Sequence, residues 1–238
     1  MTMVQLLKSN LQIAIDGPVG AGKSIVANLL SKKLGIVYVY TGAMYRAVAY
    51  LGLQAGVPLE NEDAILDLLQ KVTIKLKPTD QEDRVCTVLI DDQDVTEALF
   101  TPEASAGSSQ VAVHPKIRAE LVTQQQRMAD DHAVIMEGRD ITTVVLPKAD
   151  LKIFMTADVK IRAQRRLEDL VKKGYPKTLD EVIAETEERD YQDSHRAADP
   201  LVQASDAWYL DTTDLSISQV IELICDKLKE KNLIAYES

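Results

Sequence analysis

The chain has 238 residues, 46% of them hydrophobic and 27% charged, and carries a net charge of −10. That balance suits an ordinary globular protein of one α/β domain with room for an insertion. Its sign argues against nucleic acid or an anionic membrane as the main partner, since both demand a positive face. Cys86 and Cys225 form no C-x-x-C pair, so neither a disulfide framework nor a zinc site is expected. No apolar run reaches the length of a membrane span, and the opening MTMVQLLKSNLQ lacks the core of a secretory signal. The expected compartment is the cytoplasm.

Short apolar runs alternate with segments of helical period, which predicts a parallel sheet covered by helices. In chain order, strands are expected at 11–16, 36–40, 132–136, 151–156 and 207–212. Helices are expected near 22–34, 42–55, 115–130, 158–173, 178–197 and 216–231. Continuous apolarity marks the strands as central ones, with Trp208, Tyr209 and Leu210 in the core. Met44, Val48 and Leu51 give the second helix its apolar stripe. Pro115 opens a helix after His114, while Thr178 with Glu181, and Ser216 with Gln219, have capping-box spacing. Residues 72–96 break the alternation, because apolar and polar residues there repeat with period two. The turn signals PTDQED and Asp91-Asp92 divide that stretch into two or three antiparallel strands. An inserted subdomain over about 70–110 is therefore expected, with 1–69 and 111–238 forming the main domain.

Between the first strand and first helix lies Gly17-x-x-x-x-Gly22-Lys23-Ser24, a Walker A loop in the setting that gives it meaning. Gly17, Pro18, Val19, Gly20, Ala21, Gly22, Lys23, Ser24 and Ile25 are the expected ATP-binding residues. Glycines let successive N–H groups turn inward as an anion nest, and the helix N-terminus adds partial positive charge. The Lys23 ammonium reaches the terminal phosphates, and the Ser24 hydroxyl suits Mg²⁺.

A GTPase switch would carry D-x-x-G and [NT]-K-x-D after this loop, and an ABC-type motor its own signature loop; none is present. The chain instead has arginines where strands end and helices begin. TGAMYR places Arg46 just inside a helix, and EGRD places Glu137, Arg139 and Asp140 at a carboxyl edge, where ligands of open α/β sheets bind. Arg189, Asp193 and Arg196, spaced by four and three, share one helical stripe. Arg162, Arg165 and Arg166 fall within about one turn of another helix. Taken alone, each cluster reads more readily as a solvated ion-pair face. Together, in an acidic protein beside a Walker A loop, they favour a site for several phosphates and transfer to a phosphorylated acceptor. Glu137 either orients water around Mg²⁺ or is an edge carboxylate paired with an arginine.

The stretches IAIDGPVGAGKS, TGAMYRAVA, SSQVAVHPKIRAEL, MEGRDITTVVLPKADLKIFMTA, ERDYQDSHRAADPL and LDTTDLSISQVI, in this order, resemble the bacterial cytidylate kinases, CMP/dCMP kinases of the nucleoside monophosphate kinase group. The resemblance implies a P-loop kinase fold with a five-stranded parallel sheet, an antiparallel β/α insert and a helical lid over about 158–177. It implies ATP as donor, CMP and dCMP as acceptors, Mg²⁺ as cofactor, and single-site chemistry that needs only a monomer. By the same resemblance, Thr41, Arg46 and Arg139 grip the acceptor phosphate, and Ser109, Arg118 and Asp140 read the cytosine edge. Arg189, Asp193 and Arg196 handle the acceptor sugar and phosphate, and Arg165, with Arg162 and Arg166, sits in a mobile lid. Lys23, Arg139, Arg165, Arg189 and Arg196 make up the expected catalytic set.

Two positions depart from the family pattern. Tyr40 stands where relatives carry aspartate, and Thr142 where they usually have glycine. The first removes a carboxylate near the phosphates; the second puts a β-branched residue where the backbone is expected to need glycine's freedom. These two positions keep open a regulatory module that binds nucleotide without turnover; a kinase for another small acceptor such as UMP, AMP or a metabolite is a second alternative, against which Ser109, Arg118 and Asp140 argue.

Overall fold

The computed structural model describes residues 4–79, 81, 84–130, 132–172 and 174–236. Its centre is a parallel sheet of β2 (Gln12–Asp16), β3 (Val37–Tyr40), β7 (Val134–Gly138), β8 (Leu151–Thr156) and β9 (Trp208–Asp211), in the order β3-β7-β2-β8-β9. The predicted strands therefore exist within one or two residues of their expected ends. Two of them are edges rather than central strands: β3 and β9 flank the sheet. Accordingly Tyr209 is not core; it is 51% exposed, while Leu210 is buried.

The pleat of β2 sorts its residues between two cores. Ile13 and Ile15 join a cluster with Val26, Leu30, Ile153, Ile224 and Leu228, which packs α1 (Lys23–Leu34) and α9 (Ile217–Glu230) on one face. Ala14 faces the other way, with Val39, Val134, Met136 and Ile141. This alternation decides the site. Glu137 on β7 shares the face of Ile135 and meets α1, whereas Asp16 shares the face of Ala14 and meets the segment after β7.

A third cluster joins α2 (Thr41–Ala55), α3 (Glu62–Leu69), α5 (Pro102–Val111) and α6 (Pro115–Ala129) to an antiparallel sheet of β4 (Ile74–Lys77), β5 (Thr87–Ile90) and β6 (Gln93–Asp94). The predicted meander is present. Asp91 and Asp92, at φ 49° and 67°, make the two-residue turn that pairs Ile90 with Gln93, the left-handed conformation that matches hairpin twist and that aspartate tolerates. In the predicted PTDQED turn, Asp80, Glu82 and Asp83 lie outside the described residues, as does Lys173 at the end of a predicted helix. β1 (Val4–Leu6) and β10 (Ile234–Tyr236) pair antiparallel, Val4 opposite Tyr236.

Helix starts follow their sequence signals. Both capping boxes form, Thr178 with Glu181 ahead of α8 (Leu179–His195) and Ser216 with Gln219 ahead of α9, and Pro115 occupies the first turn of α6. The remaining helices are the single turn α4 (Thr96–Leu99), α7 (Val159–Lys172) and a π-helical turn at Ile141–Val145. No helix among the described residues is long and apolar enough to cross a membrane.

Candidate active site

The Walker A loop is built against β8 and α7. Gly17 has φ +151°, and a Cβ there would overlap the Met155 carbonyl; at Gly20, φ +76°, a Cβ would sit 2.8 Å from the Arg162 carbonyl oxygen. Only glycine allows this approach at these angles. Lys23 folds back into the loop, its Nζ donating to Gly17 O and Pro18 O, both at 2.8 Å. It is 5% exposed. Burial first, then the nearby Arg139 guanidinium, pushes its pKa down to about 7.

This has a measurable consequence. With 10.5 as the ordinary value, the unfolded chain holds more protons than the folded one between pH 7 and 10.5, so stability rises with pH across that window. Asp16 titrates below it, at about 6, and Cys86, raised from 9.0 to about 12, acts above pH 9. Ligand-free wild-type protein is therefore expected to gain stability on the order of 1 kcal/mol per pH unit between pH 7 and about 8.5, and Lys23→Met to lose that gain. Urea unfolding at the two pH values measures it.

Ser24 Oγ donates to Glu137 Oε1 at 2.8 Å, and the Tyr38 hydroxyl approaches the same oxygen at 3.3 Å. Thr41 Oγ1 donates to the Glu137 carbonyl at 2.8 Å, tying the start of α2 to the end of β7. A hydroxyl and a buried carboxylate beside the phosphate loop form an all-oxygen donor set of the kind Mg²⁺ accepts together with substrate phosphates. Of the two readings of Glu137, no arginine pair accounts for it among the ion pairs of the described residues.

The predicted arginines divide into two groups joined by Asp193. In the first, Arg139 Nε donates to Asp193 Oδ2 at 2.6 Å, and Arg189 Nη1 reaches Ser105 O at 3.0 Å. Burial, then Arg139, with Arg46 and Arg166 adding repulsion, lowers Arg189 to about 10. Burial opposes ionisation of Asp193, yet Arg139, Arg189 and Arg196 hold its carboxyl below the usual range. In the second group Arg118 pairs with Asp140 through Nη2 and with Asp199 through Nε, and Arg196 lies 3.7 Å from Asp140. Arg118 is almost fully buried. Arg196 has left the helix: α8 ends at His195, so the predicted single stripe holds for Arg189 and Asp193 alone.

Several buried polar atoms here have no hydrogen-bond partner among the described residues: Ser109 Oγ, Tyr45 OH, Arg166 Nε and Arg189 Nε. An unmade bond at a buried group costs about 1–3 kcal/mol, which a polar ligand in this cleft would relieve. Tyr45 was not singled out by its sequence setting, although its ring lies 5.7 Å from the Arg118 guanidinium.

The expected lid arginines behave differently from one another. Arg162 is buried, with Nε on Ala157 O at 2.8 Å, Nη1 on Val19 O at 3.0 Å, and an ion pair to Asp190 at 2.7 Å. It anchors α7 and α8 to the phosphate loop. Arg165 joins neither arginine group in this structure; its Nη2 donates to Thr212 O at 2.9 Å. Beside it, Thr156, Ala157, Asp158, Tyr209, Asp211 and Thr213 line much of a groove of about 610 Å³ at the carboxyl ends of β8 and β9.

Both departures from the family pattern find a local role. Tyr40 stacks on Tyr38 at 6.3 Å and Phe100 at 6.1 Å, and the Arg46 guanidinium lies 5.9 Å from the Tyr40 ring and 4.9 Å from that of Phe100. An aromatic cradle thus supports Arg46. At Thr142 the expectation of a glycine-demanding backbone is corrected, because this residue is not among those with positive φ. Its N–H and hydroxyl both donate to Asp16 Oδ2, at 2.7 and 2.6 Å, and Ile141 N–H donates to Oδ1 at 2.8 Å. Burial raises Asp16 to about 6 against these bonds. Asp16, which the sequence reading passed over, thereby fixes the segment that carries Arg139 and Asp140.

Residues 13–230 match the family model described as "Cytidylate kinase". The cytidylate kinase of Ligilactobacillus salivarius is 45% identical over 222 residues, covering 93% of this chain and 98% of that protein. That of Lysinibacillus sphaericus is 45% identical over 227 residues, 95% and 100% of the two chains. A solved structure from Eubacterium ventriosum, 11% identical, covers 93% of this chain and 99% of its own with a TM-score of 0.52, a likeness of fold alone. With the Walker A loop, the TGAMYR and EGRD segments and the clustered arginines inside a match that spans almost the whole sequence, the chain belongs to the cytidylate kinase family.

Proposed function

We infer that this protein transfers the γ-phosphoryl group of ATP to CMP and dCMP, giving ADP with CDP and dCDP. The observation that carries the reading is the density of positive charge at one sheet edge: Arg139 repels both Lys23 and Arg189, Arg46 and Arg166 add to the repulsion at Arg189, and Asp193 lies among them. In a protein of net charge −10, such a concentration of cations focuses a local positive field that suits the binding of anions. Donor, acceptor and transferring phosphates supply them.

The loop amides and Lys23 hold the donor phosphates. Arg46 and Arg139 hold the acceptor phosphate, with Thr41 at the start of α2, and Arg189, Arg196 and Arg165 balance charge as it spreads in the transition state. Ser109, Arg118 and Asp140 read the cytosine edge, since a guanidinium and a carboxylate together match its acceptors and its amine. The attacking phosphate oxygen is already anionic at neutral pH, so positioning and electrostatics replace a general base. Ser24 and Glu137 are the residues that would hold Mg²⁺, which when bound neutralises charge on the phosphates. Residues 70–110 form the acceptor-side insert, 158–177 the lid that excludes water, and the functional unit is a monomer.

ADP release measured with ATP and Mg²⁺ against CMP, dCMP, UMP, AMP and GMP tests the reading. Turnover confined to CMP and dCMP is expected. Preference for another acceptor overturns the assignment of the base site, and ATP binding without turnover favours the regulatory reading.

A further inference from the structure

We propose that Asp199 is a specificity-determining positioning residue, one that locks the Arg118 guanidinium for cytosine; the proposal rests on the reading of Arg118 as a base-reading residue. Asp199 is one of four non-glycine residues with positive φ among the described residues, at 47°. From that conformation it holds both arginines of the second group. Its Oδ2 accepts from Arg118 Nε at 2.8 Å, and its backbone carbonyl accepts from Arg196 Nε at 2.8 Å and from Arg196 Nη2 at 2.5 Å. The turn that carries it is fastened to α8, with Leu201 N–H donating to Asp193 O at 2.8 Å.

The consequence lies in how Arg118 is constrained. Nε is spent on Asp199, one Nη2 hydrogen on Asp140, and one Nη1 hydrogen on Ala112 O at 3.3 Å. A guanidinium has five N–H donors in a planar fork, so two remain, one on each Nη. Two carboxylates held by different nitrogens of one planar group fix its orientation, and with it the direction of the two remaining donors. Cytosine offers acceptors at O2 and N3; uracil offers a donor at N3. A locked arginine therefore meets N3–H of uracil donor to donor, and cannot swing away to relieve the clash. Without Asp199 the long side chain keeps Asp140 but gains freedom to rotate, which weakens binding of cytosine and relaxes rejection of uracil together.

Two variants separate the carboxylate from the backbone. Asp199→Gly removes the carboxylate while easing the positive φ, and Asp199→Asn retains the shape and the tolerance for that conformation but removes the charge. Steady-state kinetics of the full chain with CMP and with UMP is the measurement. The expected result is a KM for CMP raised on the order of tenfold in Asp199→Gly and less in Asp199→Asn. The KM for ATP should be unchanged, and the CMP-to-UMP ratio of kcat/KM lower in both. An unchanged KM for CMP and unchanged ratio in Asp199→Gly overturn the proposal, as does an equal loss for CMP, UMP and ATP, which is the mark of a structural role only. A wild-type chain that does not phosphorylate CMP overturns the base-site reading, and the proposal falls with it; a wild type active on CMP with indifferent variants rejects the proposal alone.

Discussion

Lys23→Ala is expected to fold and to lose on the order of 10³-fold or more in kcat, with CMP binding retained. Lys23 is folded inside the phosphate loop, where its Nζ donates to Gly17 O and Pro18 O. Those carbonyls position its ammonium in the loop, and among the described residues no ion pair with a carboxylate competes with a phosphate for it. Removing a positioned charge of this kind from a dry site costs on the order of 10²–10³-fold in other enzymes, and here the same group also orients the transferring phosphate. The fold should survive because β2, α1 and β8 are held by the Ile13, Ile15, Val26, Leu30 and Ile153 core rather than by the lysine. Circular dichroism checks the fold and single-turnover kinetics the rate. A Lys23→Ala protein that turns over at the wild-type rate places the donor phosphates elsewhere.

The second large effect belongs to Asp140. Its carboxylate lies between Arg118 and Arg196, and its burial, which raises its pKa, is opposed by both guanidinium groups. Asp140→Ala should raise the KM for CMP by roughly 30- to 100-fold, the loss of one charge-assisted bond in a buried site, and leave the KM for ATP within about twofold. It should also cost about 3 kcal/mol of stability, because Arg118 and Arg196 then face each other with less compensation. Asp140→Asn keeps the shape and separates the two effects: stability partly returns, while cytosine selectivity does not. Calorimetric titration of CMP and ATP distinguishes them. Equal weakening of both nucleotides contradicts the division of the cleft into donor and acceptor sides.

How much of this was readable in advance depended on whether the signal was local. Capping boxes at Thr178 and Ser216, the Asp91-Asp92 turn and the Walker A glycines are short-range, and each appears where its spacing placed it. α5 was not readable: PEASAGSSQV has little helix propensity and no apolar stripe. It is a helix because Thr101 caps it, Pro102 starts it, and Gly107 lets it lie against Ala49 and Leu59. α3 was there to be found, since Asn61 caps Ala64 N–H and Ile65 and Leu69 share a buried face. The pairing of β1 with β10 joins the two ends of the described chain and leaves no local mark.

The site divides in the same way. Lys23, Arg139 and Asp140 carry their chemistry in short motifs. Asp16, Tyr45 and Asp199 do not, because each acts through a partner distant in sequence: Asp16 through Thr142, Tyr45 beside Arg118, Asp199 across 81 positions to Arg118. Thr142 is the instructive case. Read alone, it looked like a residue in glycine's place; in the fold it supplies a third donor to a buried carboxylate.

The most direct test follows the phosphorus itself. Wild-type protein is incubated with ATP labelled in the γ-phosphate, Mg²⁺ and CMP, and the label is traced after separation of the nucleotides. Label is expected in the β-phosphate of CDP, in proportion to ADP formed, with little free phosphate while the cleft excludes water. Label released as inorganic phosphate, or ADP formed with no labelled cytidine nucleotide, would contradict it.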